Sequence, residues 1–386
     1  MLNKSLEIAR GLAALWVFLY HVRLNLDPGL FRRFADCGLL GVPAFFVISG
    51  YCMMASSRST IAKGQTAGSF LKRRLRRIFP PFWASIAVCL AAPFFGAAIV
   101  WLRVGKFPLP SQPWYELSIA DWLGLVTLTK GLATTGATHK PWAPVNSVYW
   151  SLAIEVQFYL VMALAVLWRR GFMAVLAVAT IGGVWWWRRG PFLSGLFMQY
   201  WAMFAFGLLL FTVLDKGFRP SRLFGRWTGP ASTVLTAALI AGTLAFTVGY
   251  PSETLERQTL FALCCGVILW AASGVEPLVR KDLLATRAMT GLGKMSYSVY
   301  LTHVPLVSLV AATVRACMPR GTFASLVSIA VTLPLTYLFY RFFEKPYATS
   351  RRQPEPVRPQ PVPEPAPAAC PPAETSAHYE FTPEAR

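Results

Sequence analysis

The chain has 386 residues, of which 55% are hydrophobic and only 14% charged. A soluble domain carries about 25% charged residues, so this composition belongs to the membrane class. The 37 Lys and Arg outnumber the 17 Asp and Glu by 20, yet they sit in short clusters between apolar stretches. That suits loops facing anionic headgroups and excludes a nucleic-acid binder.

Apolar stretches of about 20 residues number ten, and loop Lys and Arg orient them. The first is Leu6–Leu26, LEIARGLAALWVFLYHVRLNL. It carries Glu7, Arg10 and His21, and no small-residue cleavage site follows it, so it is expected to be a retained helix and not a signal peptide. Eleven residues separate Arg10 from His21. At about 100° per residue they fall within about 20° of one face, about 16 Å apart along the axis. The second span is Gly38–Ser56 and includes Ser49. The most basic loop follows, Arg58 to Arg77, with Lys63, Lys72, Arg73, Arg74, Arg76 and Arg77. The positive-inside bias places it in the cytoplasm and sets an N-in start.

The third span runs from about Ile78 to Leu102, with Pro80 and Pro81 in its first turn, where proline is tolerated. A long external segment, Arg103 to Asn146, contains Asp121–Leu132, too short to cross and read as re-entrant or interfacial. The remaining spans are Val148–Trp168, Phe172–Trp187, Leu193–Leu214, Pro230–Val248, Leu260–Val275, Leu292–Val314 and Phe323–Phe343. Arg188 and Arg189 violate the charge rule at an outer end, but the summed bias decides. Arg280, Lys281 and Arg287 mark another inner loop. The fold class is therefore an all-α polytopic membrane protein with about ten transmembrane helices, N-in and C-in. Residues 1–347 form the membrane domain. Residues 348–386 form a Pro-rich cytoplasmic tail, ten prolines falling after Arg351, with too little apolar surface to fold.

Polar groups inside such spans are costly unless used or satisfied. Four places qualify. The first is Arg10 with His21, histidine being the commonest general base. The second is NSVYWSLAIEVQFYL, where Ser151 and Glu155 share a face at i, i+4. A buried Glu155 needs a cationic or hydrogen-bonding partner, for which Arg10 and His21 are candidates. The third is the run Lys72–Arg77, whose guanidinium groups could clamp phosphates or simply hold topology against anionic lipid. The fourth is GLGKMSYSVYLTHVPL, where Tyr300 and His303 share a face at i, i+3 and Pro305 removes a backbone donor. Each also has a plainer reading in helix packing. The seven cysteines show no CxxC spacing, and no acidic cluster suggests a metal. No nucleotide-loop, nucleophile-elbow or zinc-protease motif is present. Group transfer suits these residues better than ion pumping, while a proton-coupled transporter or flippase stays open.

Six separated stretches in order resemble the acyltransferase-3 family of integral membrane acyltransferases: LEIARGLAALWVFLYH, GVPAFFVISGY, KRRLRRIFPPFW, YWSLAIEVQFYL, LGKMSYSVYLTHVPL and FFEKPY. The resemblance spans Leu6 to about Tyr347. It implies a bacterial inner-membrane O-acyltransferase that moves an acyl group, acetyl before succinyl or longer, from cytoplasmic acyl-CoA to a hydroxyl of an envelope or secreted glycan, such as O-antigen, exopolysaccharide or lipo-oligosaccharide. The acceptor would be a glycan or lipid-linked sugar, in contact with membrane lipid. It implies His21, Arg10, Glu155 and His303 as catalytic residues. The family's arginine motif falls on Arg74, Arg77, Ile78 and Pro80, so Arg74 and Arg77 would hold the phosphates of acyl-CoA, with Arg73 and Arg76 beside them at the donor site, and Glu7, Ser49, Ser151 and Tyr300 would support the site. No metal is implied. Many members carry a second Glu where this chain has Val156, and Trp or Phe where it has Val304. Some relatives append a soluble SGNH esterase-like domain. On this resemblance the present chain would transfer alone or hand the acyl group to a partner protein completing transfer outside.

Overall fold

Without water, long apolar stretches can satisfy their backbone hydrogen bonds only as helices or closed barrels. The computed structural model describes residues 3–105, 113–132, 140–189, 195–251, 253–279, 284–314 and 318–348, and no strand occurs among them. The helices are α1 (Asn3–Val22), α2 (Leu30–Asp36), α3 (Gly41–Ala62), α4 (Ala67–Val104), α5 (Ile119–Val126), α6 (Tyr149–Leu167), α7 (Phe172–Arg189) and α8 (Trp201–Asp215). There follow α9 (Pro220–Phe224), α10 (Thr228–Gly249), α11 (Leu255–Ala272), α12 (Glu276–Val279), α13 (Leu284–Lys294), α14 (Ser296–Val314), α15 (Thr322–Phe339) and α16 (Lys345–Ala348). Among these residues, ten helical stretches are long and apolar enough to cross a membrane. The expected Pro-rich tail, the side chains of Arg188 and Arg189, the loop residues Arg280 and Lys281, and much of the external segment lie outside the described residues.

Four boundaries differ from the sequence reading. First, the basic stretch before Ile78 is largely helix. Thr66 accepts the Ser69 N–H through its side chain, and α4 starts at Ala67. Pro80 and Pro81 therefore lie in the helix interior and not in its first turn. At 1.5 Å per residue α4 is about 57 Å long, well beyond a hydrocarbon core of about 30 Å, so its charged start projects past the apolar layer. Second, α1 ends at Val22, which leaves His21 in the last turn. Third, the Leu292–Val314 span is two helices, with α13 ending at Lys294 and α14 starting at Ser296. Fourth, the end of the external segment is not outside the bundle. Trp142, Asn146 and Val148 are all buried to 3% exposure or less. The short α5 keeps its N-terminal N–H groups satisfied by a capping box between Ser118 and Asp121.

The stretch containing α3 is the centre: 78% of its apolar window is buried, against 11% for the stretch containing α10. α3 packs on α1, α6, α8 and α11, and α14 packs on α1, α4 and α15. Close approach at the centre depends on glycine. A Cβ on Gly50 would lie 2.1 Å from the Phe204 carbonyl, and one on Gly207 2.0 Å from the Val47 carbonyl. The α3–α8 contact is thus backbone against backbone, the small-residue packing expected where no hydrophobic force separates helix from lipid. Gly293 does the same for α13 against α1, where its Cβ would meet the Glu7 carbonyl at 1.9 Å. An aromatic group of Phe46, Phe158, Trp201 and Phe204 fills the space beside the first crossing, Phe158 stacking on Phe204 at 4.3 Å.

Gly207→Val should therefore push α8 off α3 and cost upwards of about 1–3 kcal/mol, the range for overpacked cores. A thermal melt of the purified protein in detergent checks this, with a lowered midpoint as the expected result. Gly242→Val, where a Cβ meets nothing within 4 Å, is the control and should melt like the parent.

Candidate active site

Five helices converge on one cavity of about 90 Å³. α1 contributes Arg10, α3 contributes Ser49 and Cys52, and α4 contributes Arg74, Arg77 and Ile78. α6 contributes Ser151, Glu155 and Tyr159, and α14 contributes Ser296, Tyr297 and Tyr300. Three arginines and one carboxylate thus face a space otherwise walled by apolar and hydroxyl groups.

Helical periodicity sorts the basic run. Arg74 and Arg77, at i, i+3, share the cavity face. Arg73 and Arg76 are exposed and not among the lining residues, and Arg73 donates to Thr60 Oγ1 at 2.9 Å. Of the four arginines expected at the donor site, the two that fall in the motif, Arg74 and Arg77, face the cavity. The separation arises because the run is helix, so successive side chains point about 100° apart.

Glu155 does not take Arg10 or His21 as its hydrogen-bond partner, as the sequence reading suggested. Its Oε1 accepts from Ser49 Oγ and from Tyr159 OH, each at 2.8 Å. Arg74 lies close enough to act on it electrostatically. The carboxylate is thereby held across α3 and α6. Ser151, one turn before it, meets Tyr300 OH at 2.6 Å, and Tyr300 OH donates to the Val148 carbonyl at 2.9 Å. Tyr297 OH donates to the Ile78 carbonyl at 2.9 Å, tying α14 to α4 beside the Pro80–Pro81 step. Arg10 reaches Cys52 Sγ at 3.8 Å. Glu7 is half-buried one turn before Arg10 and is not among the lining residues.

The two histidines form a second station. His21, in the last turn of α1, meets His303 of α14 with ring centroids 4.8 Å apart, and the His303 ring lies 6.0 Å from that of Tyr300. His303 is 1% exposed. Its Nδ1 sits 2.9 Å from both the Val299 and Tyr300 carbonyls. Carbonyls only accept, so Nδ1 carries the hydrogen and Nε2 the lone pair. Nε2 is buried with no hydrogen-bond partner among the described residues. In the neutral ring Nε2 is the basic nitrogen, and a basic nitrogen without a partner is chemically able to accept a proton.

Sequence reasoning missed Asn146 and Tyr159. Asn146 Nδ2 donates to the Leu301 carbonyl at 3.1 Å. Leu301 is the i−4 residue of Pro305, which has no N–H to offer it. The side chain from the α5–α6 connection thus supplies the donor that proline removes. The signal was present in Pro305, but nothing local says which residue answers it. Among the described residues no group of three or more His, Cys, Asp or Glu side chains could hold a metal ion.

A family model described as an acyltransferase domain matches residues 3–341. The chain is 26% identical over 372 residues to the peptidoglycan O-acetyltransferase OatA of Listeria monocytogenes, an alignment covering 89% of this chain and 55% of that protein. It is 25% identical over 369 residues to the O-acetyltransferase OatA of Staphylococcus aureus, covering 89% and 56%. The chain thus spans about half the length of these curated relatives. No solved structure matches it.

If Asn146 serves the carbonyl freed by Pro305, Asn146→Ala should cost about 1–3 kcal/mol, the penalty for a buried unsatisfied group. In a Pro305→Ala background the restored N–H reaches Leu301 within the helix, and the same change should cost less than about 1 kcal/mol. Denaturation of the four proteins of this double-mutant cycle measures the coupling.

Proposed function

The chain belongs to the acyltransferase family whose domain model covers residues 3–341, and from that premise we propose that it is a membrane-embedded O-acyltransferase. The donor is a cytoplasmic acyl-CoA, acetyl-CoA first. The acceptor is a sugar hydroxyl of an envelope glycan, peptidoglycan being the glycan named for the Listeria relative. The basic inner loops orient the chain N-in in the bacterial cytoplasmic membrane, with the charged start of α4 on the donor side. The 1–347 body carries the reaction.

The observation that carries this reading is the two-station arrangement. Arg10, Arg74 and Arg77 face one cavity, and Tyr300 links it to the paired rings of His21 and His303. Arg74 and Arg77 hold phosphate oxygens by charge-assisted hydrogen bonds. Arg10 lies on the same face of α1 as His21 and holds negative charge on the donor at the arginine-lined cavity. Glu155, pinned by Ser49 and Tyr159, offsets the mutual repulsion of the cavity arginines and positions the acceptor. The acceptor O–H gives its proton to the histidine pair, with His303 Nε2 as the receiving nitrogen. Its oxygen bonds to the thioester carbon, the C–S bond breaks, and the departing thiolate takes the proton back from the imidazolium. Where transfer is completed outside the membrane, a partner protein receives the acyl group.

Labelled acetyl-CoA supplied to the purified chain in vesicles, with soluble glycan fragments, should label the glycan. His303→Ala and His21→Ala should each lower that rate by about 10²–10⁴, the range for a lost general base. Arg74→Ala and Arg77→Ala should each weaken donor binding by about 1.5–3 kcal/mol, seen as a raised KM for acetyl-CoA. Glycan export with no labelling would favour a transporter instead.

A further inference from the structure

Glu344 is 1% exposed, yet none of the roles above uses it. It closes the π-helical segment Tyr340–Glu344 that continues α15, an irregularity that turns the following side chain to a new face. Its Oε2 accepts the Ser298 backbone N–H at 2.9 Å and the Ser298 hydroxyl at 2.5 Å. Ser298 is in the first turn of α14, where helix N–H groups lack partners within the helix and a negative charge is favoured. Arg77 and Arg10, two of the three cavity arginines, lie near enough to act on Glu344 electrostatically.

A buried carboxylate is expensive unless several groups answer it. Capping alone does not require one, because a local Ser, Thr, Asn or Asp serves most helices. Here the cap comes from a residue 46 positions away on a different helix. The helix it grips carries Ser296, Tyr297, Tyr300 and His303. α14 is otherwise fixed by Tyr297 on α4, Tyr300 at Val148 and Ser151, Asn146 at Leu301 and, toward α15, a long hydroxyl contact of 3.4 Å between Thr302 and Thr336. Glu344 adds the short, charge-assisted anchor at the start of α14 on that same side.

We infer that Glu344 is a positioning residue of the acyl-transfer site: through Ser298 it sets the depth and rotation of α14, and so places Tyr300 and His303 against the arginine-lined cavity. This rests on the acyl-transfer reading for its consequence but not for the anchoring itself.

The test uses the purified full chain in detergent, acetyl-CoA and a soluble N-acetylglucosamine oligomer, with hydrogen exchange of residues 296–300 as a second readout. Glu344→Ala should lower kcat about 10²-fold, the scale of a 1 Å misplacement, with KM for acetyl-CoA little changed. It should also speed exchange at the start of α14 by about tenfold or more. Glu344→Gln keeps an acceptor oxygen for both Ser298 donors and should recover most of the kcat and the protection. Ser298→Ala, which keeps the N–H bond, should fall between and serves if Glu344→Ala does not fold. Faster exchange with a parental kcat would make the contact structural only and overturn the proposal. So would parental exchange in Glu344→Ala. A parent chain that transfers no acetyl group, while the exchange responds as expected, would instead defeat the acyl-transfer reading and leave the anchor standing.

Discussion

A polar group inside an apolar bundle has no water to turn to, so its partner must be another part of the chain. That constraint shapes the whole site. The Leu301 carbonyl left open by Pro305 is met by Asn146, and Glu155 is met by the hydroxyls of Ser49 and Tyr159. The Asn146–Leu301 and Ser49–Glu155 pairings join elements far apart in sequence, while Tyr159 answers Glu155 from one turn along the same helix. The same bonds that remove an energetic penalty also cross-brace the helices around the cavity. Within the described residues some buried groups stay open, Ser57 Oγ, Ser232 Oγ and His303 Nε2 among them. His303 differs in being a basic nitrogen beside a second histidine ring, and the proposed reaction rests on that difference.

Close backbone packing makes the bracing possible. Hydrogen bonds of 2.6 and 2.8 Å between side chains on neighbouring helices require the axes to hold their spacing. Glycine at the α3–α8 and α1–α13 crossings brings main chains into contact, leaving little room for the helices to slide. The aromatic rings of Phe158, Trp201 and Phe204 fill what the glycines leave open. The periphery follows other rules. α10 presents apolar side chains outward over most of its length, as a helix facing lipid should.

Much of this was legible in the residues. Ten spans, the helix-only class, and the pairing of Ser151 with Glu155 on one face follow from hydropathy and a period of 3.6. The motif resemblance pointed to the family that the domain match bears out. Less legible was anything that depends on where a helix begins. With the basic run taken as loop, only the motif set Arg74 and Arg77 apart, with no geometric reason. Once it is helix, Arg74 and Arg77 turn inward while Arg73 and Arg76 face out. The end of α1 was equally hard to read: the apolar stretch runs on to Leu26, but the α-helix stops at Val22.

What the sequence determined alone is local: which segments must be helices, how many can cross, and which residues share a face. These follow from backbone hydrogen bonding and side-chain spacing within one segment. The tertiary structure alone decided which faces meet. It set Glu155 against Ser49, 106 positions away, His21 against His303, and Glu344 against Ser298. The reason is physical. Several helices could have supplied a hydroxyl or an amide to each buried group, and only the packing of glycine and aromatic surfaces selects the helix that does.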